Sequence, residues 1–268
     1  MEYRPLGNTG LNVSVICLGT MSYGQQNTQD EGFEQMDYAL NQGVNFWDTA
    51  EMYPFDNVPN RANFGNTERI IGTWFQKTGK RDDVVLATKI TGQGAATIRG
   101  GRGISKPEIL QAVDNSLERL QTDYIDLYQW HFPQRGIGYH FQNQWNYSPE
   151  RLNTAEVEDN LLESLEAMGD VVKAGKVRAF GLSDDTVWGM MELNHWADKH
   201  SLPRVQTVQN EYHLMDRLFE TDWAEAAHHE QVGLLAWSPL AMGVLTGKYL
   251  AGVPEDSRKA YLGAGFSR

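Results

Sequence analysis

The sequence predicts an α/β fold: a (β/α)8 TIM barrel capped by an N-terminal β-hairpin, with the eighth strand and final helices absent from this sequence. Three observations carry that expectation. Seven short apolar runs alternate with six stretches of amphipathic helical periodicity, the rhythm of a parallel barrel. The runs are nearly continuous in apolar residues, as strands buried on both faces require. No self-similarity recurs at a fixed period, so a repeat architecture is not indicated. A length of 268 residues suits one such domain, read as spanning 1–268 and C-terminally incomplete.

The opening reads as a hairpin, with residues 3–6 and 11–15 extended about the turn residues Gly7, Asn8, Thr9 and Gly10. Barrel strands follow at 15–18, 44–47, 84–87, 125–130, 177–181, 205–209 and 233–237. A helix starting at Asp30 sets Phe33, Met36 and Leu40 on one face and stops at Gly43. Another covers roughly 67–77. Ser105-Lys106-Pro107-Glu108 forms a capping box with proline in the first turn, ahead of Leu110, Val113, Leu117 and Leu120 at helical spacing. A helix opening within 153–156 aligns Val157, Leu161, Leu165 and Met168 and closes at Gly175. Helices over 186–200 and near 222–230 complete the pattern.

After Trp237 no further strand is legible in 238–268. Seven parallel strands leave two open edges, which barrel closure normally removes. The expectation is that the sequence lacks the C-terminal part of a longer protein, or that another chain, as in a homo-oligomer, covers the edge.

Composition narrows the partners. The net charge of −12, from 35 Asp+Glu against 23 Lys+Arg, repels nucleic acid and anionic membranes, so neither is expected. Cys17 is the single cysteine, which excludes an internal disulfide, and its apolar neighbours predict a buried thiol. With no signal-peptide-like start and no run of 18 apolar residues, the expected location is the cytoplasm.

In parallel barrels chemistry gathers at the C-terminal ends of strands. Asp48 follows the second strand, Tyr53 comes five residues later, Lys89 leaves the third and His131 the fourth. Alternation puts His131 on the same side as Ile125, Leu127 and Gln129. Lys89 held between Asp48 and the Tyr53 hydroxyl favours the phenolate and lowers the tyrosine pKa. Such a tyrosine gives a proton to a carbonyl oxygen as hydride reaches the carbon, with His131 orienting that oxygen. No metal is required.

Each residue also has a plain structural reading: Asp48 as a turn cap, Lys89 as a solvated charge, His131 as a core histidine, Tyr53 as loop packing. Two long segments, 91–103 and 132–151, follow strands and are expected to enclose substrate. Trp47, Trp130, Phe132 and Trp145 suggest an aromatic-lined mouth, and the tryptophans read equally well as core.

Several signatures in order resemble the aldo-keto reductase family along essentially the whole chain. Tyr3-Arg4-Pro5-Leu6-Gly7-Asn8-Thr9-Gly10-Leu11 is similar to its N-terminal hairpin, and Leu18-Gly19-Thr20-Met21 to its first-strand exit. Gly43-Val44-Asn45-Phe46-Trp47-Asp48-Thr49-Ala50-Glu51-Met52-Tyr53 is similar to its most specific signature, continued by Gly65-Asn66-Thr67-Glu68. The stretches Arg119–Tyr128 and Lys173–Ser183 are further matches, and the likeness extends to the family branch that includes potassium-channel β subunits and bacterial members.

The resemblance implies carbonyl reduction with NADPH (NADP+), the tetrad being Asp48, Tyr53, Lys89 and His131. It implies cofactor contacts at Gly19, Thr20, Met21 and Asp48, and a carboxamide site near Ser183, Asp184 and Gln209. Trp237 matches an aromatic that stacks on nicotinamide. Ser238, Pro239, Leu240, Gly243, Leu245, Thr246 and Lys248 look like the pyrophosphate loop, with Arg258 beyond it. Asp184 departs from the family's usual asparagine: a carboxylate accepts a hydrogen bond but donates none. No Gly-x-Gly-x-x-Gly run follows the first strand, so a Rossmann-type site is not supported. Three other readings stand beside the reductase: a channel-β-type regulatory subunit, a catalytically inactive truncated barrel, and a glycosidase, the last weakened by the lack of a second strand-end acid opposite Asp48.

Overall fold

A computed structural model describes residues 1–55, 63–93, 96–135 and 153–263. The chain opens with the hairpin β1 (Tyr3–Pro5) and β2 (Asn12–Ser14). A parallel sheet follows: β3 (Cys17–Gly19), β4 (Phe46–Asp48), β5 (Val85–Ile90), β6 (Ile125–Trp130), β7 (Val177–Ser183), β8 (Val205–Glu211) and β9 (Gly233–Trp237), in that spatial order. Helices α1 (Gln29–Asn41), α2 (Asn66–Thr78), α3 (Lys106–Leu120), α4 (Thr154–Lys173), α5 (Val187–His200) and α6 (Trp223–Glu230) flank it. The result is a curled half-barrel, with β3 and β9 as its edges among the described residues. After β9 come a 3-10 segment, Ala241–Thr246, and α7 (Arg258–Leu262).

The packing follows from the strand period of two. Inward side chains of the sheet floor, Phe46, Ala87, Leu127 and Ala179, meet Leu6 and Val13 of the hairpin. Outward side chains such as Trp47, Tyr128, Trp130 and Phe180 pack under the helices. On β6 the outward Asp126 accepts from Arg81 Nη2 at 2.8 Å and Arg178 Nη1 at 2.7 Å, while Gln129 points inward to the site. Gly7, at φ 52°, lies so close to Gln206 that a Cβ would strike its carbonyl oxygen; the position requires glycine.

The ladders reach further toward the site than apolar character predicts. β5 runs through Lys89, β7 through Ser183 and β8 through Glu211, because their polar ends find partners in the mouth. Helix α1 starts earlier than Asp30: Thr28 caps it in a capping box with Glu31. The expected box at Ser105 does not form, since its hydroxyl is turned onto the Glu108 carboxylate.

Cys17 is exposed rather than buried, because β3 has a sheet neighbour on one side only among the described residues. No helix of the described residues is long and apolar enough to cross a membrane. Trp145 lies outside the described residues.

Gly72 of α2 lies directly against the end of α3. A Cβ there would sit 2.7 Å from the Leu120 carbonyl carbon and collide with the Arg119 oxygen, both backbone. Gly72→Ala is therefore expected to destabilise the fold by about 1–3 kcal/mol, despite alanine's helix preference of roughly 1 kcal/mol. Urea denaturation of the purified variant measures it, and a gain in stability would refute the packing argument.

Candidate active site at the strand exits

The three strand-end residues and Tyr53 meet in one mouth. Asp48 ends β4, and its carboxylate collects donors from three other strands. Lys89 Nζ of β5 reaches Oδ1 at 2.5 Å; Gln129 Nε2 of β6 and Gln209 Nε2 of β8 reach Oδ2 at 3.1 and 2.9 Å. Lys89 also donates to the Thr49 carbonyl at 2.8 Å, and the Asp48 carbonyl accepts from Thr20 Oγ1 at 2.8 Å. The lysine side chain is fully buried. Burial pushes its pKa down, but Asp48 and its other neighbours outweigh that, so the ammonium sits above its ordinary range.

The Tyr53 ring lies 5.1 Å from Lys89 Nζ and meets the His131 ring edge-on at 5.7 Å. Its pKa is raised, not lowered as expected from Lys89: burial of the hydroxyl dominates, and the lysine only moderates it. The phenol is thus protonated at neutral pH. His131 is held well below its ordinary value by burial and then by Lys89, so it is a neutral imidazole, and its buried Nδ1 has no hydrogen-bond partner among the described residues. A phenol donor and an uncharged imidazole lie side by side on one cavity wall, which suits a carbonyl oxygen that must be oriented and then protonated.

These groups open into an elongated cavity of about 1850 Å³. Gly19, Thr20, Met21, Asp48, Ser183, Asp184 and Gln209 lie on its wall, with Trp237, Ser238, Pro239 and Arg258 further along. Ser183 donates to the Gln209 carbonyl at 3.1 Å, tying β7 to β8. Asp184, at φ 50°, accepts from Trp237 Nε1 at 2.8 Å, which fixes the indole across the mouth. Burial pushes its pKa up to about 8, against the pull of Trp237 and Lys89, with Asp185 adding to the rise. A protonated Asp184 can both donate and accept, so the departure from asparagine costs the site no donor at neutral pH.

The set of hydroxyl, primary amide, carboxylic acid and fixed aromatic plane fits an aromatic carboxamide such as nicotinamide. Leu240, Gly243, Leu245, Thr246 and Lys248 are placed off the cavity wall. Their segment winds as a 3-10 turn in which the amides of Gly243 and Leu245 are bonded to the Leu240 carbonyl.

Two of the expected substrate contacts are corrected. Trp47 and Trp130 each precede an inward-facing residue by one position, so alternation turns them to the helix layer. There Trp47 packs on Trp74 and Phe75, and Trp130 on Phe180. Phe132 does line the cavity and stacks on His131 at 4.4 Å. Sequence reasoning missed the role of Gln129, although its inward position is readable beside His131. It also missed Glu51: its buried carboxylate accepts from Thr91 N at 2.5 Å and pairs with Arg99, bracing the segment that carries Tyr53. Nothing local signals that contact.

Asp184 gives the site a stability signature. Its folded pKa, about 8, lies above the ordinary 3.8, so the folded chain keeps a proton the unfolded chain has released between those values. Its contribution is complete below pH 3.8 and is lost as pH rises toward 8. Asp184→Asn keeps an acceptor for Trp237 and removes the titration. Its melting temperature is expected to exceed that of the parent increasingly as pH rises over that interval. A constant difference across the series would contradict the assignment.

Comparison with known proteins bears on this arrangement. The chain matches the family model described as the aldo/keto reductase family over residues 15–261. It is 40% identical over 277 aligned residues to "Protein tas" of Escherichia coli (strain K12), covering all of this chain and 76% of that protein. The "Protein tas" of Shigella flexneri gives the same values. The "Uncharacterized oxidoreductase YrpG" of Bacillus subtilis (strain 168) is 37% identical over 254 residues, 93% of this chain and 70% of that protein.

Proposed function

Because the chain belongs to the aldo/keto reductase family and is an oxidoreductase, we propose that it reduces an aldehyde or ketone with NADPH, Tyr53 acting as the general acid. The observation that carries this reading is the convergence of Lys89, Gln129 and Gln209 on Asp48 beneath a buried, protonated Tyr53 and a neutral His131. When bound, the cofactor supplies hydride to the carbonyl carbon. Ser183, Asp184 and Gln209 hold its carboxamide, and Trp237 offers a plane for the ring. Tyr53 delivers its proton to the carbonyl oxygen, Lys89 steadies the phenolate left behind, and Asp48 keeps Lys89 in place. His131, uncharged, donates a hydrogen bond to the same oxygen without competing as an acid. The reducing cytoplasm and a small-molecule carbonyl substrate belong to the same proposal.

Titrating the protein with NADPH and following nicotinamide fluorescence tests binding; oxidation of bound NADPH on adding 4-nitrobenzaldehyde tests chemistry. Saturable binding with aldehyde-dependent oxidation is the expected result. Neither occurring with folded protein would overturn the proposal, and NADH outcompeting NADPH would overturn its cofactor.

A further inference from the structure

The mouth above Tyr53 and His131 has an apolar wall. Met52 and Phe55 reach the cavity from the segment after β4, and Phe132 and Pro133 from the segment after β6. Tyr53, Phe55 and Phe132 pack on the buried cluster of Ala50, Met52 and Ile98. Phe132 lies flat on the His131 imidazole, the two planes within 8°. A flat ring so held is a platform only if the backbone beneath it stays put.

That backbone is pinned on both flanks. On one side the Gln134 side-chain oxygen accepts from the Ile104 amide. On the other, Arg135 spans to the exit of β7 and forks onto Asp185, with Nη1 3.3 Å from Oδ2 and Nη2 on Oδ1. Both side chains are almost wholly buried, at 5% and 2% exposure. Arg135 also donates to Thr186 Oγ1 at 3.2 Å, the hydroxyl that caps α5, and lies over the Trp188 ring. Gly189 makes the room, since a Cβ there would sit 2.8 Å from the Arg135 guanidinium carbon. Arg135 itself is off the cavity wall, so it acts on substrate through its neighbours, the segment of Phe132 and Pro133 that does line the wall.

We propose that Arg135 and Asp185 are positioning residues that hold Phe132 on His131 and thereby set discrimination between flat aromatic and small aliphatic carbonyl compounds. The inference rests on the reductase reading. An arginine fork on a carboxylate fixes direction as well as distance, which a single contact does not. When the fork is cut, the segment carrying Phe132 loses one of its two anchors, and the ring is no longer held flat on His131. Tyr53, Lys89 and Asp48 are held by other strands and keep their places.

Arg135→Gln and the milder Asp185→Asn are assayed with 4-nitrobenzaldehyde and propanal, alongside NADPH binding. The expected result in both variants is a KM for the aromatic aldehyde raised about tenfold, with kcat and the KM for propanal each within about twofold, and in Arg135→Gln, which keeps the Asp185 carboxylate, an NADPH Kd within about twofold. A general structural defect would instead lower kcat for both aldehydes together. Equal effects on the two substrates, or none, would overturn the proposal.

A third measurement needs no turnover: quenching of protein fluorescence by 2-naphthaldehyde in the absence of NADPH. Weakening of that binding by about tenfold in Asp185→Asn supports the platform even if the parent reduces neither aldehyde, an outcome that would sink the reductase reading alone. Unchanged binding would remove the platform whatever the activity.

Discussion

Tyr53→Phe is expected to lower kcat/KM for aldehyde reduction by roughly 10²–10⁴-fold, with the loss in kcat. The substitution deletes one oxygen from a ring whose packing on the mouth cluster is otherwise kept. Burial holds the phenol protonated at neutral pH, so the group removed is the proton donor itself. His131 cannot replace it: its pKa lies well below the ordinary histidine value, and a neutral imidazole is a poor acid. Steady-state kinetics with an NADPH titration separates the effects. NADPH affinity should hold, and a variant retaining activity within about tenfold would show that the proton comes from elsewhere.

Asp48→Ala should be the most damaging single change to the fold as well as to the chemistry. Removing the carboxylate leaves the fully buried Lys89 ammonium without its counter-charge, and leaves Gln129 and Gln209 with amide hydrogens aimed at a void. Breaking a buried pair from one side costs about 3–5 kcal/mol, mostly as the penalty of the stranded charge. The origin of that cost is testable by adding Lys89→Met. The double variant should recover a large part of the lost stability in urea denaturation, though none of the activity. If the two substitutions simply add, the stranded charge is not the cause.

Much of this arrangement was readable from residue order. The strand exits carrying Asp48, Lys89 and His131 follow from apolar runs ending in polar residues, and the seven-strand sequence came from the same runs. Trp47 and Trp130 differ: their aromatic character fits mouth and core alike, and their parity, one residue before Asp48 and His131, is what turns them outward. Ion pairs such as Glu51 with Arg99 and Arg135 with Asp185 join residues 48 and 50 positions apart, and no local pattern encodes them. The sign of the Tyr53 shift is hidden from sequence for a similar reason. Sequence reveals which charge lies nearby, whereas the depth of burial, which here outweighs it, is a property of the assembled mouth.

The polar residues of β6 carry a consequence for folding fidelity. All six residues of that strand are buried, so apolar pattern alone would let it pair with its neighbours equally well one step out of place. Asp126 facing outward and Gln129 facing inward forbid this. A one-residue slip would carry Asp126 away from Arg81 and Arg178 into the floor of the sheet, and would turn Gln129 from Asp48 toward the hydrocarbon under α3 and α4. Misaligned chains are penalised on both faces at once, so the bonds that build the site also proofread the strand that carries it.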